Sequence, residues 1–289
     1  MSAISAANAT YRARKRINTL MLSISALAVA FGIFWLVWIL ATLLYEGAYA
    51  LVRASLYTQM TPPPGADGGL ANAIVGTLIL IGIATAIGLP IGVGAGLYLA
   101  EYRRSPLASV VRFLSDVLNG LPSIVMGIFA WQFLVRPVGH FSALAGGVAL
   151  AAMMIPMITR TTEEMVRIVP VALREAALAL GYTRWRTSVT VVLRTATAGI
   201  VTGALVAIAR IAGETAPLLF TAFGNQFWSV RLNEPVAALP LQIFNYAVSP
   251  YDEWHALAWA GALVLILLVF LISLAARFAT RARFSGMGD

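Results

Sequence analysis

The feature that most limits how this chain can fold is a run of 31 residues, Leu70 to Ala100, without a single charged side chain. About 20 apolar residues in a helix cross the hydrocarbon core of a bilayer, so this run is long enough to span a membrane. Similar runs recur along the sequence, which is 60% hydrophobic and only 11% charged. Such values lie outside the range of soluble domains and predict an integral membrane protein.

Six apolar runs predict an all-α fold with six transmembrane helices. The first run is longer than the core of a signal peptide, so we interpret it as an uncleaved anchor, although Ala48-Tyr49-Ala50 resembles a cleavage site. The predicted spans are Thr19 to Leu44, one within Leu70 to Ala100, Val117 to Val135, Phe141 to Thr159, about Thr195 to Thr221, and Ala256 to Ala276.

Proline and glycine residues predict the shape of the second and third spans. Pro90 and Pro122 each lack a backbone donor and are expected to kink their helices. In the second span Gly88, Gly92 and Gly96 recur every four residues, which leaves one helix face nearly bare. A bare face allows either close packing of helices within the chain or sliding along a translocation path.

The distribution of positive charge predicts the orientation of the chain in the membrane. All Lys and Arg residues except Arg53, Arg136, Arg210 and Arg231 fall in segments that the six spans place on one side. Because cytoplasmic segments carry the excess of Lys and Arg, both termini are predicted to be cytoplasmic. Topology thereby explains the net charge of +8, and no nucleic-acid partner is predicted.

The composition also excludes several kinds of chemistry. The sequence has no cysteine, which excludes disulfides and Cys-ligated metals. Lys15 is the only lysine and follows Arg14 rather than Gly, so a phosphate loop of the Walker A type is excluded. ATP, if it is used, must be hydrolysed by another chain. His140 and His255 lack the sequence context of a hydrolase or a metalloprotease, so no catalytic residue and no metal site are predicted.

Two charged residues, Arg210 and Glu214, fall inside the fifth predicted span, where an isolated charge costs about 2.5 to 3.5 kcal/mol. Their spacing of four predicts that they share one helix face. One interpretation is mutual neutralisation. The other is an anion pathway, in which the planar guanidinium of Arg210 binds an oxyanion, Glu214 positions it and Thr215 adds a hydroxyl donor. Asp116, at the edge of the third span, is interpreted as a solvated end charge.

The last external loop, Ala222 to His255, is rich in aromatic residues. Trp and Tyr collect at membrane interfaces, so one interpretation is an aromatic belt. The other is a cap that contacts a binding protein outside the membrane. Both interpretations stay open.

The segment between the fourth and fifth spans predicts a docking surface for another protein. Residues Glu163 to Leu180 favour a helix, and Gly181 stands where a helix end needs a residue with positive φ. Ala176 and Ala177 leave one side of this helix without bulk, so that a neighbouring protein can approach its backbone.

The same segment carries a resemblance to a known family. Glu175-Ala176-Ala177, then Gly181 and, after nine intervening residues, the aliphatic pair Val191-Val192 resemble the EAA loop of ABC-importer permeases. Arg194 stands where that pattern has proline, so the exit from the loop is expected to be less kinked. Residues 121–127, 209–221 and 239–244 resemble segments of PstA-type permeases of phosphate importers.

This resemblance covers roughly residues 70–280 and implies a permease domain of the type I ABC importer architecture there. Residues 1–69 would form an N-terminal segment with the first span and an external loop, and residues 281–289 a cytoplasmic tail. The coupling loop would consist of Glu175, Ala176, Ala177 and Gly181.

The resemblance also implies partners. These are a PstC-like sister permease, a PstB-like ATPase dimer that binds ATP and Mg, and a PstS-like phosphate-binding protein, all at a bacterial inner membrane. No cofactor would be bound by this chain itself. The same architecture serving sulfate, molybdate or phosphonate stays open as an alternative, as does a secondary transporter driven by ions.

Overall fold

The computed structural model describes residues 2–285, which are helical apart from connecting loops and one isolated bridge between Phe223 and Val236. Two short π-helical stretches, Trp131–Val135 and Ser188–Val192, interrupt the α-helices. The α-helices are α1 (Ser2–Leu51), α2 (Ser55–Thr58), α3 (Ala71–Glu101), α4 (Pro106–Gly120), α5 (Ser123–Ala130), α6 (Arg136–Val138), α7 (Ala143–Ile168), α8 (Val171–Ala179), α9 (Arg184–Thr187), α10 (Leu193–Ala212), α11 (Ala216–Leu219), α12 (Leu239–Ala247) and α13 (Asp252–Ser285).

Five helical segments of the described chain are long and apolar enough to cross a membrane, or six if one bent pair of helices is counted as a single span. This confirms the predicted all-α membrane fold. The five segments are Arg14–Leu51, Ala71–Glu101, Ala143–Ile168, Arg184–Ala212 and Asp252–Phe278.

The bent pair of helices coincides with the predicted third span. Helices Pro106–Gly120 and Ser123–Val138 meet at an angle of 108°. Leu121 and Pro122 both have extended backbone conformations. The helical conformation is unfavourable for Leu121 because it precedes a proline. The predicted kink at Pro122 is therefore confirmed, and the bend lies inside the predicted third span, Val117 to Val135.

Helices α3 and α7 pack at the centre of the molecule. A Cβ atom at Gly92 would lie 2.7 Å from Cβ of Ile158, and one at Gly96 would lie 2.5 Å from the carbonyl oxygen of Thr159. Gly88 faces Met154 in the same way. The bare face of the second span therefore serves close packing within the chain, and α3 continues through Pro90 without a break.

Helix α1 lies at the edge of the molecule. Its apolar side chains from Leu20 to Leu40 are exposed, which suits a helix surrounded by lipid. It joins the rest of the chain near its C-terminal end, where a Cβ atom at Gly47 would lie 3.0 Å from the carbonyl oxygen of Trp259 on α13. Helix α13 extends to Ser285, into the predicted tail 281–289, of which residues 286–289 lie outside the described part.

Two predicted helix boundaries are wrong for the same reason. The predicted helix from Glu163 to Leu180 is divided by an extended stretch at Val169 and Pro170, so Glu163 belongs to the spanning helix α7. The fifth span was predicted to extend to Thr221, but its helix ends at Ala212, followed by Gly213. A new helix, α11, follows, with Pro217 in its first turn. Proline is tolerated in the first turn of a helix but not in its interior.

Candidate coupling and translocation sites

Gly181 ends α8 in the conformation that the sequence predicts. Its φ is +82°, in the left-handed region that favours glycine. The amide of Gly181 donates to the carbonyl of Leu178 at 2.9 Å, and the amide of Tyr182 donates to the carbonyl of Ala177 at 3.1 Å. These two bonds form a Schellman motif, which satisfies the last carbonyls of α8. The backbone therefore reverses at this glycine before α9 begins.

Helix α8 presents only part of the predicted motif to its surroundings. Glu175 and Ala176 are exposed, whereas Ala177 is 5% exposed and packs inward. The prediction that both alanines share one open side is therefore wrong, because successive helical residues lie about 100° apart. The small side chain of Ala177 instead lets α8 lie close to the rest of the chain.

Large apolar side chains surround the exposed part of α8. Val171, Leu178, Leu180 and Trp185 are all exposed, and each lies outside the membrane-spanning segments or at the first turn of one. A cluster of exposed apolar side chains outside a membrane span marks a surface that binds another protein. This arrangement fits a docking surface over residues 171–185.

The inner side of α8 is tied to two spans by Arg174. Its guanidinium forms an ion pair with Glu101 at the end of α3, and its Nη2 donates to the carbonyl of Val166 on α7 at 2.9 Å. Both side chains of the ion pair are largely buried, at 21% and 24% exposure. The sequence analysis missed this contact, since nothing in the local pattern relates residues 73 positions apart.

A second charged cluster lies nearby around Glu163, whose side chain is almost fully buried. Arg112 of α4 donates through Nη2 to Oε1 of Glu163 at 2.8 Å, and Arg167 pairs with the same oxygen. A buried carboxylate needs such partners, because an unpaired buried charge is strongly destabilising. The spacing of four between Glu163 and Arg167 was a sequence signal for this pair.

The exit from the loop is helical throughout. Helix α9, the π-helical turn Ser188–Val192 and α10 form one segment from Arg184 to Ala212. Arg194, which replaces the family's proline, has an amide that can continue the helix. The prediction of a less kinked exit agrees with this continuity.

The structure places Arg210 and Glu214 at the end of α10 rather than along one helix face. Their closest atoms, Nε of Arg210 and Oε1 of Glu214, lie 3.9 Å apart, which is beyond hydrogen-bond distance. The Arg210 side chain is 55% exposed and that of Glu214 18%. The charges therefore attract each other, but the donors of the guanidinium remain open to a ligand. Thr215 follows directly, and its side chain makes no capping hydrogen bond to α11.

Asp116 is exposed near Arg160, with Oδ1 and Nη1 3.7 Å apart. More than half of each side chain is exposed. This exposure agrees with the interpretation of Asp116 as a solvated charge.

Two of the family-like segments meet in space. A Cβ atom at Gly127 of α5 would lie 2.7 Å from Cα of Pro217, so the segment 121–127 packs directly on the segment that carries Glu214 and Thr215. The third segment is anchored to α3, because the amide of Leu239 donates to Oγ1 of Thr77 at 2.8 Å. Segments 121–127 and 209–221 thus contact each other, and segment 239–244 contacts α3.

The loop from Ala222 to His255 is held against the start of α3 by hydrogen bonds. Nδ2 of the Asn72 side chain, at the start of α3, donates to the backbone carbonyls of Asn225 and Gln226 at 3.2 Å each. Within the loop, Arg231 and Ser229 hydrogen-bond to Glu234 and hold the pKa of that carboxyl below its usual value. The aromatic residues divide into two groups: Tyr246 is buried against α13, and Trp228 is exposed.

Comparison with known proteins decides the family. Residues 92–284 match the family described as "Binding-protein-dependent transport system inner membrane component". The chain is 51% identical over 266 residues to the "Phosphate transport system permease protein PstA" of Yersinia pestis, a match that covers 91% of this chain and 90% of the relative. It belongs to the PstA family of phosphate transport permeases. The equivalent protein of Haemophilus influenzae is 50% identical over 265 residues, or 91% of this chain and 94% of the relative.

A solved structure shares the fold of this family member. A chain of a structure described as "Inward facing conformations of the MetNI methionine ABC transporter" aligns with a TM-score of 0.57 and 23% identity, covering 73% of this chain and 92% of that chain. The predicted type I ABC importer architecture is thereby confirmed. The chain is a multi-pass transport component and not an enzyme, as the sequence analysis predicted.

Proposed function

We propose that this chain forms half of the translocation path for inorganic phosphate in an ATP-driven importer of a bacterial inner membrane. The observation that carries this proposal is the identity of about half of all residues, over about nine-tenths of the chain, to permeases named for phosphate transport. Both termini face the cytoplasm in this proposal. The surface over residues 171–185 then faces the cytoplasm and the loop clamped by Asn72 faces outward.

The exposed surfaces support a set of four partner types. The apolar side chains around α8 suit a PstB-like ATPase dimer, which would bind ATP and Mg and leave this chain without a cofactor of its own. A PstC-like sister permease would cover the exposed face of α10, where small and polar residues such as Ala198 and Thr202 lie. A PstS-like phosphate-binding protein would dock on the external loop, where Phe227 and Trp228 are exposed, and lipid surrounds the spans.

Arg210 is the residue we propose to contact phosphate. Its guanidinium presents donors in a planar fork that fits two oxygens of a phosphate, and it is not locked by Glu214 at 3.9 Å. Glu214 then limits how far the guanidinium can move and prevents the site from holding the anion too tightly. The hydroxyl of Thr215 adds a neutral donor beside the pair.

The test is ATP-driven uptake of labelled phosphate by vesicles that contain the assembled transporter, with recovery of all subunits measured in parallel. If the pair is only structural, Arg210→Gln with Glu214→Gln removes both charges and restores transport that Arg210→Gln alone impairs. If Arg210 meets the anion, the double variant assembles and stays inactive. Arg210→Lys, which keeps the charge and loses the fork, slows uptake.

Arg160→Gln with Glu164→Gln is the matched control, because it removes another exposed Arg–Glu pair, with atoms 3.1 Å apart, from α7, where no binding role is proposed for either residue. This control should transport normally. Full uptake by a well-assembled Arg210→Gln, Glu214→Gln variant would remove Arg210 from the pathway. Competition by unlabelled sulfate, molybdate or phosphonate in the same vesicles tests the substrate: stronger competition by one of them than by phosphate would contradict the assignment to phosphate.

A further inference from the structure

A cavity of about 580 Å³ lies beneath α8, at the end of the bundle that the charge distribution assigns to the cytoplasm. Its walls come from three elements: the turn from Ala100 to Ser105 after α3, the end of α7 and the beginning of α8. No role described above uses this space, although it adjoins the proposed docking surface.

The lining of this cavity is strongly basic. Four arginines, Arg103, Arg104, Arg167 and Arg174, surround it together with a single carboxylate, that of Glu101. Arg174 is paired with Glu101, and Arg167 with the buried Glu163. Within the described chain, Arg103 and Arg104 have no carboxylate within ion-pair distance, and Nε of Arg103 donates only to the carbonyl of Ala100 at 3.3 Å. The cavity thus carries uncompensated positive charge from at least two forked cations.

Guanidinium groups from several elements that converge on one concave space are suited to an oxyanion with three or four oxygens. Each fork can donate two hydrogen bonds to neighbouring oxygens, and these charge-assisted bonds are stronger than neutral ones. The positive-inside rule explains why arginines occur in this loop, but it does not explain why four of them line the same cavity.

We propose that this cavity binds a phosphate-bearing anion, and that the bound anion weakens the ion pair between Arg174 and Glu101. The anion lies beside the Glu101 carboxylate, repels it and competes for the same guanidinium. Arg174 is on α8 and Glu101 is on α3, so occupancy of the cavity loosens α8 from the membrane-spanning helices. The anion is either inorganic phosphate from the cytoplasm or the headgroup of an acidic phospholipid. Only the consequence for transport depends on the proposed role of α8; binding does not.

The binding test uses the absence of cysteine from this sequence. Ser105→Cys places one thiol in the cavity wall, and its reaction with a fluorescent maleimide is followed on this chain within the assembled transporter. Inorganic phosphate should slow labelling, compared with chloride at equal ionic strength. Nanodiscs with phosphatidylglycerol are compared with nanodiscs of phosphatidylcholine alone, without added phosphate. Protection in the first arm identifies free phosphate as the ligand, and protection in the second identifies the lipid headgroup.

A matched pair of variants separates the cavity from general charge. Arg103→Ala with Arg104→Ala removes two exposed cations that line the cavity, whereas Arg186→Ala with Arg194→Ala removes two exposed cations that do not line it. The first variant should raise the half-protecting concentration of phosphate, or of phosphatidylglycerol, by at least about tenfold, which corresponds to the loss of one charge-assisted hydrogen bond. The second should leave it unchanged.

The proposal is overturned if neither phosphate nor phosphatidylglycerol protects the thiol, or if both double variants change protection equally. Protection that is present in the isolated chain and absent from the assembled transporter also overturns it, because an acidic group of the ATPase then fills the cavity.

If the probe is protected, excess phosphate or phosphatidylglycerol on the cytoplasmic side should reduce uptake by the wild type and not by the Arg103→Ala, Arg104→Ala variant. Wild-type vesicles without any phosphate uptake would instead contradict the proposed function, which distinguishes the two failures.

Discussion

Replacing Gly181 by valine tests whether the turn after α8 couples the chain to its ATPase. The φ of +82° at this residue is disfavoured for any residue with a Cβ atom, and most strongly for a β-branched one. No atom lies within 4 Å of the position that a Cβ would occupy, so the substitution meets no neighbour and acts through the backbone alone. The expected cost is about 1 to 2 kcal/mol or slightly more, the usual penalty of the left-handed region.

A cost of that size lowers the ratio of native to open turn by roughly 5- to 30-fold. The Schellman bonds of Gly181 and Tyr182 should open, and the docking surface should lose its fixed geometry relative to α9. Membrane insertion should persist, since the turn lies outside the spans. The expected result is that ATP-driven phosphate uptake falls, by at most about the same factor, while subunit recovery stays normal.

Gly181→Asn is the matched control, because asparagine tolerates the left-handed region far better than valine. It should retain most of the uptake. Hydrogen exchange at the amides of residues 181 and 182 should increase in the valine variant and not in the asparagine variant. Full ATP-driven uptake by a recovered Gly181→Val transporter would show that the conformation of this turn does not matter for coupling.

Two further predictions concern orientation and packing. In intact cells, single cysteines in place of Arg103 and Arg186 should be protected from an impermeant maleimide, and one in place of Trp228 should be labelled. Labelling at position 186 would show that the predicted orientation is wrong. Gly92→Ala should destabilise the protein by about 1 to 3 kcal/mol, because its methyl group would lie 2.7 Å from Cβ of Ile158. Gly94→Ala is the control: no atom lies within 4 Å of its new methyl group, so it should be neutral or stabilising. Equal melting temperatures of the two purified variants would contradict the packing of α3 on α7.

The sequence predicted the features of the fold that depend on local composition. Apolar runs identified the five long membrane-spanning helices of the described chain, because a helix is the only structure in which one segment satisfies its own backbone in lipid. The conformation of Gly181 was predicted for a similar reason, since the end of α8 needs a residue that tolerates positive φ. The bend at Pro122 was also predicted, although its size of 108° was not.

The errors arose where neighbouring apolar or helix-forming segments hide a break. Helix-forming composition predicted one helix from Glu163 to Leu180, but Pro170 excludes a continuous helix there. The apolar residues after Gly213 led to the prediction of a fifth span that continues beyond the actual end of α10. The contacts of Arg174 with Glu101 and of Arg112 with Glu163 depend on how distant segments pack. No local pattern contains that information, so these pairs could be found only in the folded chain.

The two ends of α8 connect it to the rest of the molecule in different ways, and this difference supports the proposed coupling. Arg174 connects α8 to α3 by an ion pair and to α7 by a hydrogen bond. A charged group nearby can weaken both contacts. Beyond Gly181 the chain continues as the helical segment from Arg184 to Ala212, 29 residues that extend over about 44 Å at 1.5 Å per residue. That segment carries Arg210 near its far end. A displacement of α8 can therefore reach the proposed phosphate contact through one helix, while the contacts of Arg174 determine how easily α8 is displaced.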